Sequence, residues 1–298
     1  MKWAVVGFYF LSILHIHFRG RVRLPFRRQL FDHSSFMAPI NIFMHKFSRV
    51  PATPYIPLSE FPELQRLQDN WQVIRAEAEN LLALKKIKAA EQNDDAGFNS
   101  FFKNGWKRFY LKWYDRDMAS ANALCPKTVA LLKQIPGVKA AMFASLPPGA
   151  KLVRHRDPYA GSLRYHLGLT TPNDPGCYID VDGEKYHWKD GEDVMFDETF
   201  IHYAENTTTH QRVILFCDVE RPVHFAPIRW LNRAFGKLVM TSAATQNLES
   251  EPIGGLNKFF YHAYKVRLFF KAFKAKSRTG YYVVKWALIL GILAAIFI

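Results

Sequence analysis

Two histidines and an aspartate near the middle of the chain have the types and spacing that suit a ferrous ion. His155 and Asp157 form an H-x-D pair, and His202 follows in a later segment. Two neutral imidazoles and one carboxylate can occupy one face of an octahedral iron(II) and leave three positions for a co-substrate and dioxygen. We therefore predict a metal site at these three residues, of the kind that an oxygenase needs.

An H-x-D pair alone is a weak signal, because the chain has 11 histidines. An ordinary loop position for His155 is the competing interpretation. Arg212, at the start of the segment RVILFCDV, makes the pattern more specific. An arginine at this place could form a bidentate pair with the far carboxylate of a dicarboxylate co-substrate.

The segment LRYHLGLTT places a second pair of basic residues near these ligands. If it is a strand, Arg164, His166 and Gly168 face one side, so the first two could line the metal cavity. The alternative is a solvated arginine and a hydrogen-bonded histidine on the polar face of a half-buried strand. Asp197 and Glu198, just before His202, could orient that ligand or form a solvated turn.

Short apolar stretches divided by turn residues dominate the chain from about residue 138. Strands that follow each other without intervening helices favour an antiparallel sandwich or jelly roll over a parallel sheet. The candidate strands are residues 140–146, 164–170, 177–181, 185–189, 193–197 and 212–219.

Four segments, in their order along the chain, resemble the aspartyl/asparaginyl β-hydroxylase family of iron(II)/2-oxoglutarate oxygenases. They are LPPGAKLVRH (146–155), LRYHLGL (163–169), VMFDETFIH (194–202) and QRVILFCDVERP (211–222). The resemblance implies a mainly β (α+β) chain with a double-stranded β-helix, that is, a jelly-roll or cupin-like fold, and supporting helices.

The same resemblance assigns roles to individual residues. It implies that His155 and His202 bind Fe(II), that 2-oxoglutarate and O2 are co-substrates, and that Arg212 binds the distal carboxylate of 2-oxoglutarate. Arg164 and His166 match further co-substrate positions. Asp157 departs from the animal peptidyl hydroxylases of the family, which have glycine there, and its carboxylate would complete a facial triad.

These departures fit the bacterial branch of membrane-bound lipid A hydroxylases. That resemblance implies hydroxylation of C2 of a secondary acyl chain of lipid A, or of its Kdo-bearing precursor, at the cytoplasmic face of the inner membrane. Two alternatives stay open: a peptidyl aspartyl/asparaginyl β-hydroxylase, and a non-catalytic, membrane-bound jelly roll that binds lipid.

The charge of the chain indicates an acidic partner. Lys and Arg total 40 against 26 Asp and Glu, giving a formal charge of +14. Charge alone leaves nucleic acid, anionic lipid and phosphorylated small molecules open. With the resemblance we expect anionic membrane lipids, no nucleic acid and no obligate protein partner. Three cysteines without CxxC spacing favour a reducing compartment.

Both ends of the chain are predicted to be membrane helices. Residues 3–18 are apolar apart from one serine and two histidines, and residues 281–298 contain one charge, Lys285. Basic residues flank both stretches on the side that faces the middle of the chain, so the positive-inside rule puts residues 19–280 in the cytoplasm. Packing of either stretch against the rest of the protein is the alternative.

The predicted organisation therefore has five parts. The dioxygenase domain would include an amphipathic helix of about 25 residues after Ser59 and a shorter helix over residues 126–134. The parts are an N-terminal membrane anchor with its basic flank (1–28), a proline-containing connector (29–58), the dioxygenase domain (59–230), a basic, aromatic-rich membrane-proximal segment (231–280) and a C-terminal transmembrane helix (281–298).

Overall fold

Nine strands form two antiparallel sheets in a computed structural model of the chain, which describes residues 2–89, 95, 97–248 and 250–297. The larger sheet has the order β1-β7-β4-β9-β3-β2 and the smaller β6-β5-β8. The strands are β1 (Tyr55–Ile56), β2 (Lys107–Trp113), β3 (Val138–Leu146), β4 (Ser162–Thr170), β5 (Cys177–Val181), β6 (Glu184–His187), β7 (Asp193–Phe196), β8 (His202–Asn206) and β9 (Arg212–Glu220).

Helices accompany the sheets along the whole described chain, so the fold is an antiparallel, sheet-rich α+β fold. They are α1 (Lys2–Phe18), α2 (Phe26–Gln29), α3 (His33–Lys46), α4 (Gln65–Asp69), α5 (Trp71–Ala83), α6 (Asn99–Phe102), α7 (Ala119–Leu124), α8 (Pro126–Lys133), α9 (Ala226–Phe235), α10 (Gly255–Lys276) and α11 (Arg278–Phe297). A π-helical turn, Gly236–Met240, extends α9.

The three central strands, β3, β4 and β9, are buried on both faces along almost their whole length. Strands of this kind are apolar throughout rather than alternating, as AAMFASL and VILF illustrate. Helices α5 and α8 contact the larger sheet at β4 and β2. Each central strand is consequently held by two neighbouring strands and by side-chain packing, which makes this sheet a rigid support.

All six candidate strands are present, with shifts of one or two residues at their ends. The helix predicted over 126–134 is α8. The longer helix predicted after Ser59 is broken into the 3-10 turns Leu58–Glu60 and Pro62–Leu64, then α4 and α5. The predicted connector is partly helical, because α3 begins at an Asp32 cap whose side chain accepts a hydrogen bond from the Ser34 amide.

The terminal membrane helices predicted from the sequence are not supported, since none of the helices in the described residues combines enough length with enough apolar character to cross a bilayer. The first of them, α1, has 17 residues, whereas a span needs about 20. Its Ile13 and Ile16 pack against Ala38 of α3. In α11, Arg278 and Lys285 interrupt the apolar sequence.

Helices α1 and α3 are attached to the strands by a buried polar cluster. Arg19, just after α1, donates from Nη2 to Asp197 Oδ2 at 2.5 Å and from Nη1 to Thr199 Oγ1 at 2.6 Å. Arg221 Nη2 lies 2.8 Å from the same aspartate oxygen. His45 of α3 reaches Thr199 Oγ1 through its Nε2 atom at 3.2 Å. The first helices therefore brace the segment between β7 and β8.

Candidate metal centre

The two predicted histidine ligands face each other across an antiparallel pair of strand segments. The His155 amide donates to the His202 carbonyl at 3.0 Å, and the His202 amide donates to the His155 carbonyl at 2.8 Å. The imidazole centroids lie 4.3 Å apart. Because backbone hydrogen bonds fix this pair, the imidazoles converge without help from a metal.

The hydrogen bonds of the imidazoles leave one nitrogen of each ring available for a metal. Nδ1 of His155 lies 2.7 Å from the Val153 carbonyl, and Nδ1 of His202 lies 3.0 Å from the Phe200 carbonyl. A carbonyl can only accept, so each Nδ1 carries the proton and each Nε2 keeps its lone pair. Burial lowers the pKa of the His155 ring, and burial together with the neighbouring His155 lowers the pKa of His202 to about 3. Both rings are neutral at neutral pH, as metal ligation requires.

Asp157 lies where a third metal ligand could be provided. Ligand atoms of His155, Asp157 and His202 all lie within 4.8 Å of one another. The Asp157 amide donates to the Glu198 carbonyl at 2.8 Å, which aligns this loop with the segment before β8. Burial opposes ionisation of its carboxyl group, but Arg164 and both histidines outweigh that effect and hold the pKa at about 2.

Arg164 lies beside the metal site, surrounded by carboxylates. Its Nη2 donates to Asp157 Oδ2 at 2.6 Å, and its Nε donates to Glu198 Oε2 at 2.6 Å. Asp218 Oδ1 lies 3.3 Å from the same Nη2 atom. The guanidinium also stacks on the Phe216 ring, 3.8 Å from its centroid. In this arrangement Arg164 holds Oδ2 of Asp157 and leaves Oδ1 of that predicted ligand available to a metal.

Arg212 and His166 are buried polar residues without the partners that such residues normally have. Within the described residues the Arg212 guanidinium makes no hydrogen bond or ion pair, although its exposed fraction is only 2%. It stacks on Trp188 at 4.3 Å, and burial lowers its pKa to about 10. Both ring nitrogens of His166 also lack a partner, and burial, together with the positive charge of Arg212, lowers its pKa well below the usual value.

Unpaired buried donors are rare in folded proteins and commonly indicate a missing ligand. A cationic guanidinium beside a neutral imidazole, both facing the same cavity as three metal ligands, suits a metal-chelating dicarboxylate. The residues present therefore fit iron and 2-oxoglutarate.

The cavity that these groups share is open to solvent, and its empty volume is about 480 Å³ when the space that opens to solvent is included. Apart from the triad, Arg164, His166 and Arg212, its wall is apolar. The apolar lining residues are Phe98, Phe101, Trp106, Leu152, Ile179, Phe196, Ala204, Ile214 and Phe216. Such a wall favours an aliphatic substrate over a charged one.

Some residues around the centre were not identified from the sequence. Glu198 does not orient His202 and is not solvated; it is buried and accepts hydrogen bonds from Arg164 and from Ser162 Oγ. Phe98 and Phe101 come from α6 and the turn before it, for which no pattern predicted a role. An acid four residues before a ligand was the only available signal for Glu198.

Two histidines and one carboxylate around an open metal position, beside a buried arginine without a counter-ion, define an Fe/2-oxoglutarate-type hydroxylase. The chain belongs to the aspartyl/asparaginyl β-hydroxylase family, whose sequence profile matches residues 68–222, more than half of its length.

Two relatives identified by sequence support this assignment. The chain is 33% identical over 198 residues to an ornithine lipid ester-linked acyl 2-hydroxylase from Rhizobium tropici, covering 65% of this chain and 70% of that protein. It is 29% identical over 164 residues to the human aspartyl/asparaginyl beta-hydroxylase, covering 53% of this chain but only 21% of the human protein. A crystal structure of a Pseudomonas putida prolyl-4-hydroxylase aligns with a TM-score of 0.37 and 20% identity, over 52% of this chain and 87% of that one.

Proposed function

We propose that this protein is an Fe(II)/2-oxoglutarate-dependent dioxygenase that hydroxylates C2 of an acyl chain in a membrane lipid. The proposed catalytic unit spans residues 59–230 and is a double-stranded β-helix, with β3, β4, β7 and β9 in one sheet and β5, β6 and β8 in the other. The observation that carries the proposal is the unpaired Arg212, which lies in the same cavity as the three ligands.

In this proposal His155, Asp157 and His202 hold Fe(II). Bound iron, with 2-oxoglutarate and O2, supplies the oxidising chemistry that replaces a C–H bond by C–OH. Arg212 pairs with the far carboxylate of 2-oxoglutarate, and His166 borders the same part of the cavity. Phe216 and Trp188 support Arg164 and Arg212 by stacking, which keeps both cations oriented in an otherwise apolar wall.

The lipid part of the proposal rests on the apolar cavity wall and on the relative from Rhizobium tropici, whose name specifies 2-hydroxylation of an ester-linked acyl chain. The finer form of the proposal is a secondary acyl chain of lipid A, or of its Kdo-bearing precursor, modified at the cytoplasmic face of a bacterial inner membrane. Anionic lipids are then the natural surroundings for a chain of charge +14.

Product analysis with competing substrates tests this function. Detergent-solubilised protein is incubated with Fe(II), 2-oxoglutarate and either Kdo-containing lipid A, an ornithine lipid or an acidic peptide, and mass spectrometry follows the gain of one oxygen atom. We expect the gain on a lipid acyl chain, and loss of the gain in His155→Ala. His187→Ala is the matched control, since His187 lies on β6 outside the cavity lining.

The outcomes separate the alternatives. Oxygen gain on the peptide and on neither lipid would favour a peptidyl aspartyl/asparaginyl β-hydroxylase. Absence of 2-oxoglutarate turnover with every substrate would favour a non-catalytic lipid-binding protein. A gain on ornithine lipid alone would keep the acyl 2-hydroxylase activity and remove lipid A as its substrate.

A further inference from the structure

The turn from α2 into α3 exposes two aromatic side chains that the rest of the described structure leaves uncovered. Phe31 is 91% exposed and Phe36 is 78% exposed. Neither ring contacts another ring within the described residues. Exposing two phenylalanines so fully is unfavourable in water, which makes this turn a candidate contact surface.

Two arginines stand next to these rings in the chain. Arg27 and Arg28 of α2 are exposed, and among the described residues their guanidinium groups have no hydrogen bond or ion pair. We call Arg27, Arg28, Phe31 and Phe36 the corner surface. Among the described residues, it combines two guanidinium groups without ion-pair partners and two solvent-exposed aromatic rings.

Residues next to the corner surface in the chain are bonded directly to the metal-binding loop. His33, between the two phenylalanines, donates from Nε2 to the carbonyl of Arg156 at 2.7 Å, and Arg156 lies between the ligands His155 and Asp157. Asn41 of α3 donates from Nδ2 to the Pro158 carbonyl at 2.7 Å. The corner therefore has a fixed position relative to the iron ligands.

The metal ligands on that loop are also the more accessible ones. The side chains of His155 and Asp157 keep 16% and 25% of their exposure, whereas His202 is buried. Just before them, Val153 is 54% exposed. The open side of the metal centre is thus formed by the loop to which His33 and Asn41 are hydrogen-bonded.

We infer that the corner surface docks this protein onto a bilayer containing anionic lipids and so brings the open side of the iron cavity to the lipid. Aromatic rings enter the boundary between headgroups and acyl chains, while arginines pair with lipid phosphates, and this combination is typical of interfacial binding. The functional role of docking, which is to bring a lipid substrate to the iron cavity, rests on the proposed lipid hydroxylase function. The docking itself is argued from the four side chains of the corner surface and does not require the iron chemistry.

Vesicle binding tests the docking. The full-length protein, without iron or 2-oxoglutarate, is mixed with sucrose-loaded vesicles of phosphatidylcholine containing about 30% phosphatidylglycerol, and the bound fraction is measured by sedimentation. We expect Phe31→Ser/Phe36→Ser and Arg27→Glu/Arg28→Glu each to weaken binding by about tenfold or more. Both variants should keep the thermal unfolding midpoint of the wild type, because the changed side chains are exposed.

Matched controls come from the end of α5. Leu84→Ser removes an apolar side chain that is 49% exposed, and Lys85→Glu/Lys86→Glu makes the same change of net charge as the arginine variant. Wild-type binding by Phe31→Ser/Phe36→Ser, or an equal loss in the controls, would overturn the docking surface. A protein that binds vesicles through the corner but oxidises no lipid would support docking and overturn the proposed function.

Discussion

At the scale of single residues, the orientation of the predicted ligands depends on the ion pair between the Asp157 carboxylate and the Arg164 guanidinium. Asp157 can offer Oδ1 to a metal because Oδ2 accepts a hydrogen bond from Arg164 at 2.6 Å. Arg164 is in turn held by Glu198 and Asp218. Its predicted role as a co-substrate ligand remains a proposal, and its contacts would also let it orient Asp157.

Removing the Asp157 carboxylate is expected to weaken metal binding and preserve the fold. In Asp157→Ala, Arg164 still has Glu198 and Asp218, so no buried cation is left alone. We expect affinity for Fe(II), or for Co(II) as a stable substitute, to fall by at least the roughly 10- to 100-fold that loss of a residue supporting a ligand causes, measured by anaerobic titration calorimetry. Glu192→Ala, which removes an exposed carboxylate, is the control. Unchanged affinity in Asp157→Ala would show that this residue is not a ligand.

Arg212 is expected to lower the stability of the protein without co-substrate and to strengthen the binding of 2-oxoglutarate. A buried guanidinium without a counter-ion destabilises the folded state. Arg212→Met should therefore raise the unfolding temperature of the protein without co-substrate, while raising the KM for 2-oxoglutarate about 100-fold or more, since a buried charge pair is lost. Differential scanning calorimetry and 2-oxoglutarate turnover measure the two effects.

The ligand-dependent stability gives an independent check on Arg212. At the same concentration, added 2-oxoglutarate should stabilise the metal-loaded wild type more than Arg212→Met, because stabilisation by mass action falls as the ligand binds more weakly. A lower unfolding temperature in Arg212→Met without ligand would contradict the interpretation of this arginine as an unpaired cation.

The sequence predicted this centre only in part, and the reason lies in the range of the contacts. His155 and Asp157 are identifiable because metal chemistry restricts residue type and local spacing, and His202 because its segment resembles the family in the same order along the chain. Arg164 has a partner in Glu198 that lies 34 residues away, so no local pattern links them. Its burial among carboxylates follows from the pairing of β4 with β7 and β9.

At the scale of elements, strands with strong turn signals were predicted and elements stabilised by buried polar contacts were not. In α3 the buried face contains Ser34, Ser35 and Asn41, so its hydrophobic periodicity is weak. Gln29 donates to Ser35 at 2.8 Å, and Asn41 bonds to the loop after Asp157. Such partners become apparent only in the folded chain.

The attachment of the N-terminal helices is expected to be sensitive to acid. Burial opposes ionisation of Asp197, but Arg221 and Arg19 outweigh it and hold the pKa well below the usual value. A depressed folded-state pKa gives stability that is present above about pH 4 and is lost as pH falls through that lower pKa. Unfolding free energy should therefore decline below about pH 4.

Arg19→Met tests this attachment. Because Arg221 still contacts Asp197, we expect a loss of about 2 kcal/mol in unfolding free energy at pH 7, less than the loss for a fully broken buried pair, and a weaker decline on acidification. Denaturant titration across the pH range measures both. Lys189→Met, which removes an exposed ion pair with Glu192, should change stability by less than about 1 kcal/mol. Equal losses in the two variants would contradict a structural role for the buried pair.

At the scale of the whole molecule, an excess of 14 positive charges should make lipid association depend on ionic strength. Raising salt from about 0.1 M to about 1 M shortens the Debye length from about 10 Å to about 3 Å. Binding to vesicles that contain phosphatidylglycerol should weaken steeply over this range, measured by sedimentation. Binding to pure phosphatidylcholine vesicles, the control, should change little, and a salt-independent interaction with the anionic vesicles would contradict an electrostatic contribution.

The reciprocal amide bonds between His155 and His202 have a consequence for how such a chain can diversify. Because the ladder at these two residues sets the spacing of the imidazoles, the length of the intervening segment does not enter into it. Insertions or deletions in the turn between β5 and β6, or between β6 and β7, would leave the two rings at the same separation. The lengths of these turns can therefore change while the two predicted iron ligands keep their relative position.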